Sequence, residues 1–169
     1  MRKSRTGYAL LLLLCLFISL EIRGVSASDG CDVDQRKRVE NNMLLQKKYA
    51  GSKIVEDGLV ILIPVSDGEV SLNIGGCSQY GVDIELKTTA GEKYILEESI
   101  KLTTIDLMEK YSNGVVNVAR LKKSISESWR KLGINSYVVK YGGEGDTFLV
   151  SKSVEGKYTI ISVSYQRYL

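Results

Sequence analysis

The spacing of hydrophobic positions changes along this chain, and the changes divide it into elements. From Asp32 or Asp34 to Ala50-Gly51, Val39, Met43 and Leu44 recur at helical intervals within a charged stretch, which predicts an amphipathic helix closed by glycine. Leu59 to Val65 (LVILIPV) is then a continuous apolar run, Val70, Leu72 and Ile74 alternate with other residues, and Val82, Ile84 and Leu86 alternate again after Gly81. Alternation at period two marks a half-buried strand, so three antiparallel strands are expected after the helix. Asp67-Gly68 is expected to supply the positive-φ residues of a two-residue hairpin turn between the first two. Tyr94-Ile95-Leu96, beyond the Ala90-Gly91 turn, offers a fourth strand.

The middle of the chain is helical. Thr103 with Asp106 resembles a capping box, Ile105, Met108 and Tyr111 follow it, and Asn113-Gly114 ends the segment. Val118, Leu121, Ile125, Trp129 and Leu132 then fall on one stripe, with Arg120, Lys123, Glu127 and Arg130 elsewhere and Gly133 placed as the terminating residue. A lone domain must bury such a stripe, and the sheet is the surface expected to cover it. The last quarter returns to strands at Tyr137–Tyr141, Thr147–Ser151 and Tyr158–Tyr165, joined by Gly142-Gly143-Glu144-Gly145 and by Glu155-Gly156 as a meander. The expected fold is α+β: a single domain, an antiparallel sheet of about six strands packed by two or three helices, in the order α-βββ-αα-βββ. No repeat, low-complexity segment or proline-rich linker divides residues 28–169.

Residues 1–27 follow a different logic. Arg2, Lys3 and Arg5 precede the apolar run Tyr8–Leu20, which is shorter than the ~20 residues needed to cross a hydrocarbon core, and Val25-Ser26-Ala27 offers the small side chains of a cleavage site. The expectation is a cleavable signal peptide over 1–27 and an exported domain over 28–169, periplasmic or extracellular, with no stable membrane span after cleavage. That division changes the charge. The 23 Lys and Arg against 20 Asp and Glu give +3, but four of the cations and one of the acids lie before residue 28, so the mature chain is formally neutral. The remaining basic runs (Arg36-Lys37-Arg38, Lys47-Lys48, Lys122-Lys123, Arg130-Lys131) are short and interleaved, as on solvated helix faces, and give no case for a nucleic-acid partner.

Cleavage would also remove Cys15, leaving Cys31 and Cys77. In an oxidising compartment the pair is expected to form one disulfide. Closing a loop of about 46 residues stabilises a fold by roughly 4 kcal/mol in the chain-entropy description. Two distant cysteines in a chain without histidine offer no zinc ligand set, and neither a metal nor a cofactor is expected.

The absence of histidine excludes Ser-His-Asp and Cys-His catalysis, His-ligated metals and the HExxH motif. Carboxylate chemistry survives, with Glu97-Glu98, Asp83 with Glu85, and Asp32 with Asp34 as the visible pairs. Asp83 and Glu85 fall on the face opposite Val82, Ile84 and Leu86, the outward side of a half-buried strand. Gly75-Gly76-Cys77-Ser78-Gln79-Tyr80-Gly81 lies between two strands and lacks the helix start of a phosphate-binding loop, so it reads as a turn, or as a rigid loop presenting Gln79 and Tyr80. The loop from Tyr141 through Glu144 to Asp146 is the other candidate binding segment, in a tyrosine-rich region suited to interfaces. These features favour an exported non-enzymatic binding protein of inhibitor, immunity or adaptor type, its partner another protein or a cell-envelope macromolecule, bound through Gln79, Tyr80, Tyr141 and Glu144. A small-ligand carrier with a cleft between helices and sheet, and a carboxylate-based hydrolase, are the alternatives.

Overall fold

Eight strands form one antiparallel sheet in a computed structural model that describes residues 31–75, 79–142 and 146–168, the side chains of 31–34, 79, 80 and 168 excepted. The expected signal peptide over 1–27 and the expected Cys31–Cys77 bridge lie outside what is described. The strands are β1 (Lys53–Val55), β2 (Val60–Val65), β3 (Gly68–Ile74), β4 (Gln79–Thr88), β5 (Arg130–Lys131), β6 (Ser136–Lys140), β7 (Thr147–Glu155) and β8 (Tyr158–Tyr168). The helices are α1 (Cys31–Gln46), α2 (Glu97–Tyr111) and α3 (Val118–Ser128).

In space the strands run β1-β2-β3-β4-β8-β7-β6-β5. Two four-stranded meanders, each preceded by helix, meet where β4 pairs with β8 from Gln79↔Tyr168 to Thr88↔Thr159. The α+β class and the single antiparallel sheet are as expected, and the sheet is larger. The two added strands, β1 and β5, have three and two residues, too few to display an alternation.

Alternate residues of each long strand turn inward. Val70 and Leu72, Val82 and Ile84, Val163 and Tyr165, and Phe148 and Val150 are buried against Met108 of α2 and Leu121 of α3. Asp83, Glu85 and Ser151 stand exposed on the opposite face, the division expected of a sheet packed on one side.

Local chemistry departs from the sequence-based expectation at three places. Val65 pairs with Gly68, so the hairpin turn is Ser66-Asp67, and neither residue has positive φ. The turn is fastened from outside: the Asp67 carbonyl accepts from the Thr89 N–H at 2.9 Å and from the Thr88 hydroxyl at 3.2 Å. Gly68 is required by proximity instead, because a Cβ there would stand 1.9 Å from the Lys87 carbonyl oxygen.

Tyr94-Ile95-Leu96 forms no strand. Gly91–Tyr94 is a turn of 3-10 helix, Ile95 and Leu96 lead out of it, and α2 starts at Glu97, with Glu97 and Glu98 facing the positive end of the helix dipole. Thr103 and Asp106 therefore lie inside α2 and cap nothing.

The third departure is at α3, which ends at Ser128 rather than near Leu132. The Ser128 hydroxyl sits within hydrogen-bond distance of the Ser124 carbonyl (2.9 Å) and accepts the Lys140 N–H (3.0 Å), tying the last turn to β6. Trp129 leaves the helix with ψ 119° and stacks on Tyr137, ring centroids 4.8 Å apart, and the chain continues as β5 beside β6. Leu132 thereby leaves the stripe.

Candidate functional site

The strand register brings the two loops singled out in the sequence to one end of the sheet. Gln79 opens β4 opposite Tyr168, and Thr147 opens β7 opposite Gln166, so the starts of β4 and β7 flank the last residues of β8. With strands ~4.8 Å apart, they emerge about 10 Å from each other. The side chains of Gln79 and Tyr80 and the whole of Glu144 are outside the described residues.

Tyr141 is not an exposed anchor. Tyr137, Val139 and Tyr141 alternate on the inward face of the β6 segment, and Tyr141 is 4% exposed. Its ring meets Phe148 edge-on at 5.0 Å and Tyr165 at 5.5 Å. Its hydroxyl accepts the Asn117 N–H at 2.9 Å and lies 3.3 Å from the Asn117 carbonyl, and the Arg120 guanidinium covers the ring at 5.0 Å. Tyr141 thus fixes the start of α3 to the sheet, and burial, the largest cause, holds the neighbouring Tyr165 hydroxyl above the usual tyrosine value.

The carboxylates border open hollows: Asp83 and Glu85, with Glu56, line one of about 240 Å³ on the helix-free face, and Glu97 and Glu98 edge the groove between α2 and α3. Asp83 and Glu85 are exposed on the open face, each beside a serine hydroxyl that donates to it, Ser164 and Ser162 respectively. Glu97 and Glu98 pair with Lys101 at 3.5 and 3.3 Å. Among the described residues no three His, Cys, Asp or Glu side chains come together as a metal site. One Ser-x-x-Lys spacing exists, Ser128 to Lys131, but Ser128 closes α3 and Lys131 lies on β5, so no helical face unites them.

The strongest surface feature lies at the opposite end of the sheet, on the side that carries the helices. Ile95, Leu96, Leu102, Leu132, Ile134 and Val154 are each between 55% and 86% exposed. Lys152 on β7 ties two of the segments that carry them: its Nζ donates to the Tyr94 carbonyl at 2.7 Å, and its N–H donates to the Asn135 carbonyl at 2.9 Å. Ile95 and Ile134 are therefore the chain neighbours of two residues bonded to one lysine, and Val154 leaves the same face of β7 two positions on. Beside them a groove of about 440 Å³ between α2 and α3 is walled by Leu102, Ile105, Ile125 and Trp129, with Lys101 over the Trp129 ring at 5.7 Å. The Trp129 indole N–H ends buried in this wall without a hydrogen-bond partner. A short tie from Lys93 to Asp67, 3.0 Å, braces the 3-10 turn that delivers Ile95, and it raises the lysine pKa; burial does the same to Tyr94.

This rim is absent from the sequence reading, although a signal for it exists. Ile95-Leu96 and Ile134 belong to no helical or alternating pattern, and apolar residues that no period claims are the ones left facing water. Ile95-Leu96 instead counted as a strand, and Leu132 as the end of a stripe. No protein-family model, curated protein or solved structure matches the chain.

Proposed function

We propose that the protein is an exported, non-enzymatic binding protein that acts by contact with another protein, and that the rim formed by Ile95, Leu96, Leu102, Ile134 and Val154 is its contact surface. The observation that carries the proposal is that Lys152 ties together the segments bearing the exposed Ile95-Leu96, Ile134 and Val154, with Leu102 on the helix that follows Leu96. Scattered surface hydrophobics need no explanation, but a cluster bordered by charges has the composition of an interface: apolar centre, polar edge. Glu97, Glu98, Lys101 and Lys152 supply that edge. The rim also stands on two hydrogen-bonded supports, the 3-10 turn held by Lys93–Asp67 and the β5–β6 connection held by Lys152, so little ordering entropy remains to be lost on binding.

Export rests on residues 1–27, and the non-enzymatic character on a chain without histidine whose strand carboxylates stand on an open face. The end of the sheet where β4 and β7 begin is the second candidate surface, favoured by the register that sets Gln79 and Thr147 beside the last residues of β8. The test is capture by immobilised residues 28–169 from the source cells, comparing wild type with Leu96→Asp/Ile134→Asp by quantitative mass spectrometry. A protein enriched by the wild type and lost by about tenfold with the folded variant supports the rim. Undiminished capture, or capture of nothing, contradicts it.

A further inference from the structure

We infer that the cavity between α1 and the end of β3 binds a small amphiphilic anion, with a carboxylate or phosphate head and a short apolar chain. Its volume of about 510 Å³ is within the range of small-ligand sites. Lys37, Arg38 and Lys48 line it together with Asn41, Asn42 and Asn113. Leu45, Ile74 and Val115 give it an apolar wall. Helix geometry explains part of the composition: Lys37, Asn41 and Leu44 succeed one another at intervals of four and three, so one face of α1 turns polar groups and a leucine toward the cavity, and Lys48 follows in the turn beyond the helix.

The charge of this lining is uncompensated among the described residues. No carboxylate lines the cavity, and none forms an ion pair with Lys37, Arg38 or Lys48. The partners that do occur are neutral carboxamides: Arg38 Nη2 donates to Asn73 Oδ1 at 2.8 Å, and Lys48 Nζ to Asn113 Oδ1 at 2.7 Å. Such acceptors hold a cation in place and leave its charge available. Arg38 Nε, packed beside Gly75, is cut off from water and has no acceptor among the described residues, so the guanidinium beside the cavity keeps unused hydrogen-bonding capacity. Asp34, one turn before Arg38 on α1, has its side chain outside the described residues, so the charge count is of the described lining.

Three cations beside four apolar side chains, Leu44, Leu45, Ile74 and Val115, select a ligand that has both characters. Inorganic phosphate would leave the apolar wall wet, and a neutral detergent would leave the cations without an acceptor. A monomeric amphiphile and an anionic bilayer share the head-group chemistry, and the ligand inferred here is the monomer, since the cavity has room for a chain.

The test is calorimetric titration of residues 28–169 with octyl phosphate below its micelle concentration, with inorganic phosphate, with octyl glucoside, and with vesicles of anionic phospholipid. Saturable binding of octyl phosphate, about tenfold tighter than inorganic phosphate or octyl glucoside, supports the inference. Lys37→Gln removes an exposed cation without a described partner and leaves the fold intact, and Lys48→Gln removes a second; each should weaken octyl phosphate about fivefold or more, and Lys123→Gln on α3 should not. No saturable binding below about 1 mM, equal affinity for octyl glucoside, equal affinity for inorganic phosphate, binding to vesicles alone, or indifference to Lys37→Gln and Lys48→Gln each overturns it.

Discussion

Tyr141 shows how a residue can be placed correctly and its role misjudged. Its strand was evident from alternation, and the same alternation, Tyr137, Val139, Tyr141, sends its side chain inward. A tyrosine beside a glycine-rich loop resembles a binding anchor until the inward parity is followed to the last residue. What the sequence could not supply is the partner of the hydroxyl, because Asn117 lies on another element and its nearness depends on how α3 docks. Tyr141 therefore belongs to stability. In urea unfolding, Tyr141→Ala should cost about 3–5 kcal/mol through the loss of its contacts with Phe148 and Tyr165. Tyr141→Phe should cost about 0.5–1.5 kcal/mol, because the Asn117 N–H loses its acceptor. If both variants unfold with the wild-type midpoint, the tyrosine is not the tie described.

Elements were legible where a period lasted long enough. The long strands and the three helices all declare themselves by alternation or helical spacing, and their ends do not. The end of α3 is decided by Ser128 meeting Lys140 and by Trp129 stacking on Tyr137, contacts with a strand that follows later in the chain. The stripe through Leu132 continues at helical spacing, yet β5 pairing overrides it, since β5 lies beside β6 and Leu132 is left in water. The start of α3 is the opposite case: Asn117 accepts the Arg120 N–H at 3.0 Å, an end fixed by local chemistry. Asn117→Ala should lower stability by about 1 kcal/mol, read as a lower midpoint of thermal unfolding followed by circular dichroism. An unchanged midpoint would mean that the cap contributes nothing beyond the Tyr141 contact.

On the scale of the whole molecule, two meanders share the β4–β8 seam, and each end of the sheet gathers loops from both halves. At one end α1 reaches the tip of β3, where Arg38 holds Asn73. The expected Cys31–Cys77 bridge lies outside the described residues and has its own test. Cys77→Ser in residues 28–169 should lower the melting temperature under oxidising conditions, in line with roughly 4 kcal/mol for a loop of this length, and not under reducing ones. Two titratable thiols in the unreduced protein would refute the bridge. The other end carries the apolar rim, which no periodicity could announce because it is assembled from segments that obey none. The account turns on that rim as the surface that meets the partner. The measurement that bears on it most directly is the affinity of the captured partner for wild type, Ile134→Asp and Tyr80→Ala, each first shown to melt as the wild type does. The account predicts that Ile134→Asp weakens binding by about tenfold or more, roughly 1.4 kcal/mol, while Tyr80→Ala stays within about threefold. The reverse result, loss with Tyr80→Ala and none with Ile134→Asp, would move the site to the loops beside β8 and contradict the account.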